Sequence, residues 1–366
     1  MKLELLKKHL EEVVQIVSRV SNKNLSLPVL SCVLLVAEAG RTVLRATNLD
    51  VSVEVVLKSK IIEDGVVAVP AQVFSQTVSA IADEKVVLEE ESGVLHVKSS
   101  HGEAKLKTLD ASEFPTLPYV KEGEGVSVTL SSKEFLHTIK STSFAASTSG
   151  MRPELASVFL HISDGNIIAA ATDSFRLAEI KLKTKNKQNT NPILIPIRNI
   201  QDITRLVSNS ETVEIRVGEN QATYIAAGSF ITSRIIDGAF PQYEAIIPKD
   251  FTTTATVLKE DILQSLKKTS VFTDQSNQVE FSLDMKNKTF TTQATNSQVG
   301  EAVNTTDAAI EGGDVTMHFN VRYILDALNA TTADSVVFKF SGPGKPLIIN
   351  EVPDSGFTYL VMPMNK

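Results

Sequence analysis

The sequence is poor in cysteine, in long apolar runs and in net positive charge. One cysteine, Cys32, stands among 366 residues, so no intrachain disulfide can form and a zinc site built on several thiolates is excluded. Cys32 lies inside an apolar segment, where a buried structural thiol in a reducing compartment is the expectation. The longest near-continuous apolar run, 29–37, is interrupted by Ser31 and falls far short of the roughly 18 residues that a membrane-spanning helix needs. The opening residues, Met1 to His9, mix charges and lack the apolar stretch and small-residue cleavage site of a secretory signal, so a cytoplasmic protein is expected. A formal net charge of −7 argues against overall attraction to a polyanion, while leaving room for one basic face. Six histidines are scattered without metal-ligand spacing, and no Gly-x-Ser-x-Gly elbow is present. Gly342-Pro343-Gly344-Lys345-Pro346 lacks the glycine spacing of a phosphate loop and reads as a tight turn. No catalytic residue, metal or cofactor is expected.

What is present is the composition of a folded protein: 42% apolar and 22% charged residues, with mean hydropathy +0.03. The length calls for two or three domains. One phrase recurs three times, as Ala46-Thr47-Asn48, Ala171-Thr172-Asp173 and Ala294-Thr295-Asn296, at spacings of 125 and 123 residues. Other landmarks keep the same step. Val69-Pro70, Ile195-Pro196 and Phe319-Asn320 each lead into a segment with apolar positions three or four apart, the mark of a strand running into a helix. Phe114-Pro115 and Phe240-Pro241 lie 126 apart. A first helix per copy is expected over 6–19, 131–144 and 259–272, with Leu10, Leu136 and Leu263 in register. Four landmarks at one period predict three copies of one domain, at 1–122, 126–248 and 252–366. Two helices and many short alternating strands in each copy give an α+β class with antiparallel sheet. Because Asn48 and Asn296 stand where Asp173 does, a turn role for Asp173 is expected over an acid–base role.

The six helical segments carry twelve Lys or Arg and nine acids, a balance of +3 that leaves −10 for the remainder. Either the helices are ordinary solvated faces, or charge is sorted so that helices face a polyanion and sheets face water.

The order and spacing of these phrases resemble the bacterial sliding-clamp family, the beta subunits of DNA polymerase III. The resemblance spans the whole chain and includes Leu27-Pro28-Val29-Leu30, Ala171 through Leu177, Asp237-Gly238-Ala239-Phe240-Pro241-Gln242-Tyr243 and the ending Val361-Met362-Pro363-Met364. It implies three tandem DNA-clamp (processivity-fold) domains, with antiparallel sheets outside and two helices per domain inside, in a ring-shaped head-to-tail homodimer. The implied activity is non-enzymatic: the ring encircles duplex DNA without regard to sequence and holds the replicative polymerase there. Phosphate contacts suit that task because they carry no sequence information.

Carried over residue by residue, the resemblance implies DNA contacts at Lys23, Asn24, Gln72, Arg198 and Arg205, although Asn24, Gln72 and Ser149 are neutral where some relatives are basic or longer. It implies a docking pocket for short peptide motifs of polymerases, the clamp loader and repair proteins, formed by Leu155, Thr172, Arg176, Leu177, Pro241, Ile246, Val361, Met362, Pro363 and Met364. Flexible thioethers suit a surface that takes several partners. Read without the family, Leu155, Leu177 and Ile246 are expected to be plain core residues. Ser174, Phe175 and Ala245 depart from the family pattern. Leu106 and Leu109 of one subunit are implied to face Val271 and Phe272 of another. The alternative is a scaffold that forms no ring, or a second clamp copy without the replicative role.

Overall fold

The structure, a computed structural model, describes residues 1–21, 27–185 and 187–365. The first copy runs β1 (Lys2–Leu6), α1 (Lys7–Val20), β2 (Cys32–Glu38), β3 (Arg41–Thr47), β4 (Val51–Val56), β5 (Lys60–Glu63), β6 (Gly65–Pro70), α2 (Ala71–Ala80), β7 (Lys85–Glu91), β8 (Val94–Ser99) and β9 (Gly102–Lys107). The second runs β10 (Val126–Ser131), α3 (Ser132–Ser143), β11 (Ser157–Ser163), β12 (Asn166–Thr172), β13 (Arg176–Lys183), β14 (Ile193–Pro196), α4 (Ile197–Val207), β15 (Thr212–Val217), β16 (Gln221–Ala226) and β17 (Ser229–Arg234). The third runs β18 (Thr253–Leu258), α5 (Lys259–Ser270), β19 (Gln278–Asp284), β20 (Thr289–Asn296), β21 (Gly300–Asp307), β22 (Ala309–Gly312), β23 (Val315–Asn320), α6 (Val321–Ala330), β24 (Ser335–Phe340), β25 (Leu347–Val352) and β26 (Phe357–Val361). Apart from the short β5 and β22, each copy has the same order of one strand, a helix, four strands, a helix and three strands.

The landmarks land where the spacing puts them. Pro70 and Asn320 are N-caps, and the Asn320 side chain accepts the Arg322 N–H at 3.0 Å. Leu6 departs from the expectation: it closes β1 opposite Lys85 and is 51% exposed, because α1 starts one residue later. The Ala-Thr-Asx phrases all end in side-chain-capped turns. Asn48 Oδ1 accepts from the N–H groups of Asp50 and Val51, Asp173 Oδ1 from those of Phe175 and Arg176, and Asn296 Oδ1 from that of Gln298. The Gly342–Lys345 turn is closed by the Lys345 N–H on the Gly342 carbonyl.

Among the described residues every ladder is antiparallel, and the strands form four sheets. Two of them each lie within a single copy: β5-β1-β7-β8-β9 in the first and β21-β20-β19-β23 in the third. The other two run on from one copy to the next. In β10-β15-β16-β17-β4-β3-β2-β6 the last strand of the second copy pairs with the third sheet strand of the first. In β14-β11-β12-β13-β26-β25-β24-β18-β22 the last strand of the third copy pairs likewise with the second.

Contact density accordingly divides the chain into two units instead of three, residues 1–136 with 198–235, and 137–197 with 236–366. In the first unit, α1 lays Leu10, Val13, Val14 and Val17 against α2 and the sheet strands β3 and β4. In the second, α5 packs Ile262 and Leu266 toward α6, β20 and β21. The third copy's two sheets meet over an aromatic cluster, with the Phe281 ring 5.0 Å from Phe290, 5.3 Å from Phe319 and 6.0 Å from Phe338. Phe281→Ala should cost about 3–5 kcal/mol, read as a urea midpoint moved to lower concentration; an unchanged midpoint would contradict this account of the core.

Candidate peptide-docking site

The implied pocket residues lie in the second unit, around the β12–β13–β26 ladders. Thr172 stands opposite Leu177, and Arg176 opposite Val361. The turn between β12 and β13 is held from within. Thr172 Oγ1 donates to the Arg176 carbonyl at 2.6 Å and accepts the Ser174 N–H, and Ser174 takes φ +82°. This conformation leaves Phe175 61% exposed at the turn's tip.

Arg176 is fixed on several sides. Its Nε donates to Asp173 Oδ2 at 2.9 Å, its Nη1 donates to Asp326 Oδ2 at 2.6 Å, and its guanidinium lies 4.4 Å from the Tyr323 ring centre. Burial works against its charge, but Asp326, Tyr359 and Asp173 outweigh burial and hold its pKa above the ordinary value. The Tyr323 and Asp326 contacts lie outside the residues implied from sequence. Their only signal is a spacing of three on one helix face, which says nothing about a partner 150 residues away.

The carboxy-terminal segment extends β26 instead of fraying. The Met362 N–H donates to the Phe175 carbonyl at 2.9 Å, and the Met364 N–H to the His318 carbonyl at 2.8 Å. Gly356 makes the start of β26 possible: at φ +84°, a Cβ there would come within 2.1 Å of the Lys181 carbonyl oxygen.

The ten implied pocket residues divide by burial. Leu155, Leu177 and Val361 are buried and can serve only as a floor. Leu177 belongs to a cluster with Ala170, Tyr243, Ile348 and Leu360, flanked by Phe159 and Phe240, so its reading as core holds. Ile246 does not fit that reading: it is 53% exposed on the short turn 243–246, whose Tyr243 is buried. Tyr243 anchors the turn, its hydroxyl donating to the buried Glu179 carboxylate at 2.6 Å; burial and that carboxylate push its pKa up. Met362 is 39% exposed, while Pro241, Pro363 and Met364 are half-buried. The ladders thus bring together Thr172, Arg176, Leu177, Val361 and Met362, and the Leu177–Tyr243 cluster adds the 241–246 segment. Leu155 is tied by its backbone to Arg152 and Ser147. Such a surface offers apolar contact to a ligand chain, edged by a charge already neutralised.

The implied DNA residues that the structure describes lie in the first unit. Lys23 and Asn24 lie outside the described residues. Gln72 is exposed at a groove of about 520 Å³ that Arg19 also lines. Arg198 is exposed and donates to Asp50 at 3.1 Å. Arg205 is half-buried with one guanidinium nitrogen enclosed, and burial lifts the pKa of the neighbouring Asp202 against the pull of Arg205 and Arg19. Lys133, Lys140, Lys267, Lys268 and Arg322 are exposed on helices and form no ion pair among the described residues. Of the implied seam residues, Leu106 is buried, Leu109 and Phe272 are half-buried, and Val271 is 68% exposed. Among the described residues no group of three or more potential metal ligands occurs, and no helix is long and apolar enough to cross a membrane.

Comparison with known proteins gives one result throughout. The family models for the N-terminal, central and C-terminal domains of the DNA polymerase III beta subunit match residues 1–118, 129–242 and 244–365. The beta sliding clamp of Synechococcus elongatus is 28% identical over all of this chain and 99% of its own length. The sliding clamp of Pseudomonas aeruginosa bound to griselimycin and that of Bacillus subtilis are each 26% identical with TM-score 0.93, covering all of this chain and 100% and 99% of theirs. With three repeated domains in the same order and the same strand plan in each, this chain belongs to the DNA polymerase III beta subunit family, the sliding clamps of DNA replication.

Proposed function

We propose that two copies of this chain close head to tail into a ring that surrounds duplex DNA, and that the second-unit site docks short peptide motifs of polymerases, the clamp loader and repair proteins. One observation carries the ring: an unfinished strand pattern. β17 pairs with β4 and β26 with β13, last strand to third sheet strand. The corresponding strands β9 and β21 each pair on one side only among the described residues. Unpaired edges invite another chain, and a second copy supplies the complement at both ends. Val271, Val299 and Val303 are exposed on the end of α5 and along the β21 edge, and give that seam an apolar component.

The internal ladders also set the register. Thr47 faces Ser52, Thr172 faces Leu177 and Thr295 faces Glu301, which makes Ser52, Leu177 and Glu301 equivalent. Ser52 faces Thr232, three residues past the β16–β17 hairpin residue Ser229; Lys105 lies three past Gly102 of the β8–β9 hairpin. The seam therefore sets Lys105 of one copy opposite Glu301 of the other.

For DNA, the ring needs weak, sequence-blind attraction. The exposed helix cations serve that need, and the exposed Arg198–Asp50 pair, worth at most about 1 kcal/mol, yields readily to a phosphate. The docking reading is supported by Phe175, Ile246 and Met362, which are exposed beside a buried apolar floor.

Loaded on nicked circular DNA, the protein should stay bound in high salt and leave once the circle is cut; equal loss from both would end the topological reading. Lys105→Glu should weaken the dimer more than about tenfold, shifting sedimentation toward the 39.7 kDa monomer, and Lys105→Glu with Glu301→Lys should restore it. Failure of the double variant would mean a different register or seam. Met362→Ala with Met364 removed should reduce polymerase-peptide affinity about tenfold or more without changing the dimer, and unchanged affinity would relocate the pocket.

A further inference from the structure

The backbone that builds the docking site at the second junction occurs again at the first, within one unit. The Arg234 N–H donates to the Asp50 carbonyl at 3.0 Å, as the Met362 N–H does to that of Phe175 at 2.9 Å. Asp50 and Arg234 thus occupy the places of Phe175 and Met362, and Pro115 that of Pro241. The frame is kept while its side chains change from apolar to charged.

This frame borders a cavity of about 330 Å³, lined by Asp50, Ser52, Thr232 and Arg234 under a strap that includes Pro115 and Thr116. The same two strap residues line a neighbouring cavity of about 500 Å³, whose other walls include Arg41, Arg45, Glu54, Tyr119 and Phe230. Glu54 is the counterpart of Glu179, the carboxylate that anchors Tyr243 at the second junction. Here it carries two guanidiniums: Arg41 Nη2 at 3.0 Å and Arg45 Nε at 2.7 Å. One buried carboxylate cannot neutralise two arginines or use their ten N–H donors. Arg234 is exposed and pairs with no acid among the described residues, and Asp50 is already engaged by Arg198. Beside these cations the Tyr119 and Phe230 rings lie 5.4 Å apart, with Tyr119 exposed.

We propose that this first-junction groove is a second docking site, for an extended acidic peptide segment carrying an aromatic side chain. Its carboxylates pair with Arg41, Arg45 and Arg234, and its ring lies against Tyr119 and Phe230. A peptide can space its charges around the buried Glu54; a nucleic acid, with a charge at every phosphate, meets that carboxylate as repulsion. The proposal takes only its backbone frame from the docking reading of the second junction, and its chemistry is separate.

The test is fluorescence anisotropy with the full chain and an amino-terminally labelled octapeptide of alternating Glu and Phe, alongside its Lys-for-Glu counterpart. The acidic probe should bind with an affinity that falls as salt rises, and the basic one should not. The Arg41→Gln, Arg45→Gln double variant should weaken binding about tenfold or more, and Met362→Ala should leave it unchanged. Should the double variant lose its fold, shown by circular dichroism, Arg234→Gln and Tyr119→Ala at exposed positions each still predict a several-fold loss. Binding that survives all these changes overturns the proposal. So does binding lost only in Met362→Ala, which would instead sustain the second-junction site. Displacement of the probe by oligothymidylate, sensitive to the same arginines, would reassign the groove to nucleic acid and likewise overturn it.

Discussion

The constraint on which this architecture rests is the pairing of strand edges. An edge strand carries backbone N–H and C=O groups that must find partners. The second and third copies meet that demand by placing the last strand beside the third sheet strand of the copy before. Two sheets of eight and nine strands result, and the repeats are fused through hydrogen bonds instead of being strung on linkers. The chain then ends this pattern at β9 and β21, and the head-to-tail seam proposed here is the same bond pattern carried over to another molecule.

Reusing one frame frees the side chains to diverge. At the second junction a buried Glu179 receives a tyrosine hydroxyl, and the surface above bears Phe175, Ile246 and Met362. At the first, Glu54 receives two guanidiniums, and Asp50 and Arg234 replace the apolar pair. The backbone bond is conserved between the two places, so the difference in chemistry lies wholly in side chains. Duplication of a fold in this way repeats a backbone frame without repeating the chemistry of its surface.

Electrostatics are divided between held and loose charges. Arg176 is enclosed by Asp173, Asp326 and the Tyr323 ring, which hold its guanidinium in place. Arg198, Lys133, Lys140, Lys267 and Lys268 are exposed; the Arg198–Asp50 pair is weak in water, and the four lysines form no ion pair among the described residues. The ring proposed here needs charges of the second kind toward DNA, because strong or base-directed contacts would stop it sliding.

Much of this was legible in the sequence. Periods of 123 to 127 residues exposed three copies, the helix positions followed from apolar spacing, and the recurrent Ala-Thr-Asx phrases marked turns, because Asx side chains cap their own backbone. Local chemistry determined all of these. Other features required tertiary structure: which strands fuse the copies, that Leu177 is buried while Ile246 is exposed, that Arg205 is half enclosed, and that Arg176 meets Tyr323 and Asp326. Those outcomes depend on partners distant in the chain. A backbone edge looks the same in any sequence, and a leucine does not announce what will cover it.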